Sequence, residues 1–89
     1  MWHLYLVRCA DGTLYTGIST NVERRLLTHQ RNQGARRLRG RGPLQLVFSQ
    51  AVGDHSTALR IEHRVKKLSR SDKERLVSGE TELQSFDKE

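Results

Sequence analysis

The chain has 89 residues, 35% of them hydrophobic and 29% charged, which is room for one small domain with a thin core. Sixteen Lys and Arg against 10 Asp and Glu give a formal net charge of +6, a balance that favours a polyanionic partner such as nucleic acid or an acidic membrane surface. Apolar runs of only a few residues exclude a membrane-spanning helix, which needs about 20. No signal-peptide core follows Met1, and the single Cys9 excludes an internal disulfide and a zinc site of paired Cys and His. The expectation is a cytoplasmic, disulfide-free, basic domain.

In chain order, Trp2 to Cys9 and Thr13 to Ile18 are short aromatic and β-branched runs separated by Ala10-Asp11-Gly12, the pattern of a β-hairpin. Thr20-x-x-Glu23 has the form of a capping box opening a helix that runs to about Arg31. Residues 32 to 43, with four arginines among glycines and no apolar period, read as a mobile basic loop. Leu44 to Val52 reads as a third strand. Ser56 is the expected N-cap of a second helix, on which Ala58, Ile61, Val65 and Leu68 recur at helical spacing. A further capping box, Ser71-x-x-Glu74, opens a short helix that stops at Gly79. The order β-β-α-β-α-α predicts a small α/β (α+β) sandwich, one antiparallel sheet covered by helices. Residues 1–79 form the expected single domain and 80–89 a polar, flexible tail.

Chemistry-bearing residues cluster in three of these elements. A two-residue Asp11-Gly12 turn sends Tyr5 and Tyr15 to opposite faces, whereas a three-residue loop with Gly12 left-handed places Tyr15 opposite Val7 and Tyr5 opposite Gly17. In the second register both phenols share a face, and Gly17 leaves space beside Tyr5 for another group to approach. On the pattern alone a core aromatic and a half-exposed strand tyrosine is the preferred reading. On the first helix Arg25 and His29 flank the apolar Val22 and Leu26. A guanidinium there can grip phosphate, though a snorkelling arginine and a flanking histidine give the same spacing. Glu62 projects between Ala58 and Leu59 on the inward side of the second helix. Burial of an unpaired carboxylate is costly, so Glu62 should face an arginine, a metal or a cleft.

The segments LYLVRCADGTLYTGIST, NVERRLLTHQ, GARRLRGRGPLQLVF and LRIEHRVKKLSRSDKERL resemble the GIY-YIG nuclease domain, in particular its small stand-alone bacterial branch of the YhbQ type. The resemblance covers about four-fifths of the chain. It implies a three-stranded antiparallel sheet flanked by helices, with the active site on one sheet face. By position it implies that Tyr5 and Tyr15 are the tyrosines of the two half-motifs and Gly17 the glycine of the second. Arg25 then matches the helix arginine, His29 a histidine found in several branches, and Glu62 the metal ligand. The same resemblance favours the three-residue hairpin loop. Three positions depart from the pattern: His3 stands where the first half-motif has glycine, Thr16 replaces an isoleucine, and Ile18 replaces a lysine of the excision-repair branch. Lys66, Lys73 and Glu74 are the candidates for a further C-terminal polar residue.

The expected function is a DNA endonuclease, structure-selective or weakly selective, acting in repair or recombination. It would use one Mg²⁺ or Mn²⁺ held by Glu62 and waters, and leave a 5′ phosphate and a 3′ hydroxyl. Tyr15, directly or through Tyr5 or His29, would take the proton from water, and Arg25 would stabilise charge on the phosphate. Arg36, Arg37, Arg39 and Arg41, with Lys66, Lys67 and Arg70, are the expected nucleic-acid-binding residues. DNA is the expected substrate over RNA. The competing readings are a nucleic-acid-binding module with weak or no turnover, and a nuclease subunit that needs a protein partner.

Overall fold

The computed structural model describes residues 1–31, 40 and 42–83. Three strands and three helices follow one another as β1 (Trp2–Arg8), β2 (Leu14–Ser19), α1 (Val22–Gln30), β3 (Gln45–Gly53), α2 (His55–Lys66) and α3 (Arg70–Ser78). The strands make one antiparallel sheet in the order β2-β1-β3. This is the α+β sandwich and the β-β-α-β-α-α order that the sequence predicts.

β1 is central, and its consecutive buried residues Leu4, Tyr5, Leu6 and Val7 reflect a strand covered on both faces. Side chains alternate, so Leu4 and Leu6 point to one side and Tyr5 and Val7 to the other. On the first side Leu4 and Leu6 pack with Ile61 and Val65 of α2, Leu76 of α3, and Leu83. On the second side Tyr5, Val7, Cys9 and Leu44 pack with Tyr15, Leu46 and the α1 residues Val22 and Leu26. A register shift in β3 sets Leu6 opposite Phe48 but Val7 opposite Leu46. The intervening Val47 is therefore an extra residue, and it packs with Phe48 against the first core while Leu46 serves the second.

The hairpin adopts the three-residue loop. Cys9 N–H donates to Thr13 O at 2.9 Å and Gly12 has φ +88°, the left-handed conformation that this loop requires. Tyr5 consequently pairs with Gly17 and Val7 with Tyr15.

All three helix starts differ from the capping pattern by one or two residues. Asn21, not Thr20, caps α1, its Oδ1 accepting from Arg24 N–H at 3.1 Å. Ser19 Oγ accepts from Asn21 N–H at 3.0 Å, which leaves Thr20 inside the turn. Asp54 caps α2 in place of Ser56, accepting from Thr57 N–H at 2.8 Å, because the helix begins directly after β3 ends at Gly53. Ser69 caps α3 in place of Ser71, accepting from Asp72 N–H at 3.1 Å. Glu74 does not reach back to the helix start, because both its oxygens accept from Arg8, at 2.8 and 2.7 Å. Asn, Asp and Ser cap about equally well, so the strand ends and tertiary pairs decide among neighbouring candidates.

α3 stops at Gly79 as expected, with φ +84° and Glu80 N–H returning to Arg75 O at 2.9 Å. The chain beyond it is not all free tail. Leu83 is 1% exposed within the first core, so packing continues past residue 79.

Candidate active site

The second sheet face carries an unusual concentration of buried polar groups. Tyr5 is 1% exposed and His29 is 1% exposed, and the Tyr5 hydroxyl lies 2.9 Å from His29 Nε2. α1 delivers His29 because Val22 and Leu26 anchor the same helix face to the core. Burial is the main force that pushes the Tyr5 phenol up to about 12, and the neighbouring Tyr15 adds to it. Arg25 opposes the rise by hydrogen bonding to the phenol and by its charge, while the Glu62 carboxylate reinforces it. His29 moves in the other direction: burial, then the charge of Arg25, holds it below its ordinary 6.5.

Both groups are therefore neutral at pH 7. The Tyr5 hydroxyl and His29 Nε2 share one proton between them at 2.9 Å, with Arg25 close enough to act on the phenol. A phenol pushed up to about 12 is a poor general base at neutral pH, so Tyr5 is placed as the hydrogen-bond partner of His29 and not as the base.

Tyr15 is half-buried beside this pair. Its ring meets His29 edge-on at 5.6 Å and lies 6.5 Å from the Tyr5 ring, centre to centre. Gly17 makes the arrangement sterically feasible. A Cβ at Gly17 would sit 2.5 Å from both Cζ and the hydroxyl oxygen of Tyr5. The space left by the missing side chain is thus filled by the ring of Tyr5 itself, not left for an outside group as the spacing had implied.

Glu62 enters from α2, its side chain 18% exposed, and one oxygen lies 3.4 Å from Lys66 Nζ one turn along. Its partner is a lysine of the same helix, and it remains close enough to act electrostatically on Tyr5. Among the described residues no three His, Cys, Asp or Glu side chains converge. A single half-buried carboxylate fits a hard divalent ion that takes its remaining ligands from water and phosphate, and does not fit a closed zinc site.

The structure thus brings Tyr5, Tyr15, Gly17, Arg25 and His29 together, with Glu62 in electrostatic reach. The expected nucleic-acid contacts distribute differently. Arg36, Arg37, Arg39 and Arg41 lie outside the described residues. Lys66 pairs with Glu62, and Lys67 is the exposed C-cap of α2. Arg70 donates to Gly12 O at 3.0 Å and sits 3.8 Å from Glu74, so it braces the hairpin turn as well as presenting charge. Glu74 itself is tied to Arg8, which holds its carboxyl below the ordinary 4.5. The strand register adds one residue that the motif spacing does not flag as part of the site. His3 stands two residues before Tyr5 on the same face, and its Nδ1 is buried without a hydrogen-bond partner among the described residues.

Residues 1–75 match the model of the GIY-YIG catalytic domain. The chain is similar to the UPF0213 protein of Klebsiella pneumoniae, at 57% identity over 96% of this chain and 80% of that one. It is also similar to the UPF0213 protein of Sodalis glossinidius, at 60% identity over 88% and 73% of the two chains. The solution NMR structure of a UPF0213 protein from Bacillus halodurans is 46% identical, superposes with a TM-score of 0.56, and covers 88% of this chain and 84% of that one. With paired strand tyrosines over a glycine and a family match that spans both sheet faces, the chain belongs to the GIY-YIG catalytic domain family, among its small UPF0213 proteins.

Proposed function

We propose that this protein is a divalent-metal-dependent endonuclease that hydrolyses phosphodiester bonds in DNA. Family membership supports nuclease chemistry in general. The observation that carries the specific reading is the buried Tyr5–His29 hydrogen bond, flanked by Arg25 and Tyr15, with Glu62 acting on the same phenol. Glu62 would hold Mg²⁺ or Mn²⁺, and such an ion supplies charge neutralisation at the scissile phosphate and the departing oxygen.

The chain's own residues divide the remaining work. Arg25 grips a non-bridging phosphate oxygen and stabilises the negative charge that grows there. Tyr15, the half-exposed phenol, meets the attacking water and would take its proton in the phenolate form, which the cationic charge gathered at the site favours. Tyr5 and His29 are too buried to meet bulk water, and act by holding Arg25 and the Tyr15 ring in place. Water forms the new P–O bond, the bond to the 3′ oxygen breaks, and that oxygen takes up a proton. The products are a 5′ phosphate and a 3′ hydroxyl. A cytoplasmic setting, weak or structure-based selectivity, and a role in repair or recombination belong to the same reading, with a partner subunit as one source of specificity.

The test is cleavage of labelled duplex and branched DNA with Mg²⁺ or Mn²⁺ at low and moderate salt, with an EDTA control. Glu62→Gln should lower the rate by on the order of 10³-fold and leave salt-sensitive DNA binding intact. Tyr15→Phe should also lose most cleavage. Cutting that survives both substitutions overturns the site, and binding without any cutting identifies a binding module instead.

A further inference from the structure

One pocket lies beside the tyrosine–histidine cluster without belonging to it. It has a volume of about 430 Å³, opens between the start of α1 and strands β1 and β3, and is lined in part by His3, Thr20, Val22, Glu23, Leu46 and Ser49. That size falls within the range of small-ligand sites. The sheet register sets its distance from the chemistry: His3 is two residues before Tyr5 on the same strand face, and Ser49 is the β3 partner of Tyr5. A group in this pocket lies along the strand face that carries Tyr5.

The lining separates two kinds of occupant. Val22 and Leu46 supply apolar wall, and the His3 ring supplies a flat face, which together suit an aromatic ring. The Glu23 carboxylate repels a phosphate from this position but accepts hydrogen bonds from an exocyclic amine. His3 is also a side chain whose presence the fold does not explain, since its buried Nδ1 satisfies no neighbour among the described residues. The geometry points to a nucleobase subsite: the pocket holds the base that flanks the phosphate at the Tyr5–Tyr15 site, and it prefers an amino-bearing base, cytosine over thymine. The subsite deepens the nuclease reading and rests on it for its place in a substrate, but base binding is measurable without cleavage.

The experiment is an NMR titration of ¹⁵N-labelled protein with deoxycytidine and with thymidine, neither of which carries a phosphate to engage the basic surface. Resonances of His3, Leu46 and Ser49 should shift, with deoxycytidine binding roughly fivefold more tightly than thymidine. Glu23→Gln, on an exposed helix position, should erase that difference, because an amide pairs with either base edge. His3→Gly should weaken both nucleosides while the Tyr5 and His29 signals stay in place. No shifts at these residues, or equal affinities that Glu23→Gln leaves unchanged, would overturn the subsite. Failure of the nuclease reading shows separately, as absence of DNA cleavage by the wild-type protein with either metal.

Discussion

The two faces of the sheet are built from the same seven-residue strand, yet they follow opposite rules. The Leu4–Leu6 face is closed by two helices and by Leu83, and its core is aliphatic apart from Thr16, buried opposite Leu6. The Tyr5–Val7 face is covered by α1 and buries a phenol and an imidazole. A dry aliphatic contact contributes stability through area removed from water, and any residue of similar shape serves. Buried polar groups contribute little unless each is paired, but their low-dielectric surroundings move proton affinities and hold donors in fixed directions. Strand alternation assigns each side chain to a face, and the helix that covers each face decides what it becomes there.

The sharpest way to break the comparison is a cavity on the aliphatic face. Leu6→Ala should cost about 2–5 kcal/mol, a large part of the roughly 5–15 kcal/mol typical of a domain. Urea unfolding measures it, and the molecules that remain folded should keep their DNA cleavage. A cost below about 1 kcal/mol would mean that the Leu4–Leu6 face does not carry the fold.

On the polar face the largest effect should come from Gly17→Ala, which drives a methyl group into the Tyr5 ring. The expected cost is about 1–3 kcal/mol, with a loss of cleavage greater than the loss of folded protein. Shifts of the Tyr5 and His29 NMR signals would show that the ring has moved.

Proton linkage gives a subtler test. His29 has its folded pKa lowered from 6.5 by burial and by Arg25, so below that pH the unfolded chain binds more protons than the folded one. This contribution is fully present above pH 6.5 and is lost as pH falls toward the depressed folded value. His29→Gln should flatten the dependence of the urea midpoint on pH in that window.

The smallest effect belongs to the Arg8–Glu74 pair, which joins the end of β1 to α3 with side chains 28% and 34% exposed. Glu74→Gln should cost about 1 kcal/mol or less, and less again in high salt. Arg8 lowers the Glu74 carboxyl from its ordinary 4.5, so this contribution holds above that pH and disappears as pH falls through the depressed value.

Much of this was legible in one dimension. Apolar alternation, the Asp11-Gly12 turn signal, the helical period of Ala58, Ile61 and Val65, and the stop at Gly79 are local properties, and local physics dictates them. The inward placement of Glu62 follows from the same period. Helix starts were less legible, because Thr20 and Asn21, or Ser69 and Ser71, are near-equal caps until the strand end and Arg8 choose between them.

Tertiary structure alone decided the chemistry of the site. Hairpin spacing offered Tyr5 opposite Gly17 as one of two registers, but no spacing rule reveals that the Tyr5 ring fills the space over that glycine, or that His29 reaches its hydroxyl from 24 residues away. The Glu62–Lys66 pair follows helical i,i+4 spacing, but spacing does not indicate that His3 borders a pocket. The physical reason is that proton affinity and hydrogen-bond direction depend on burial and on neighbours distant in sequence. The sequence determined which side chains were available and which face each one takes. Only packing of α1 and α2 against the sheet determined that a buried tyrosine and a buried, neutral histidine meet in one hydrogen bond.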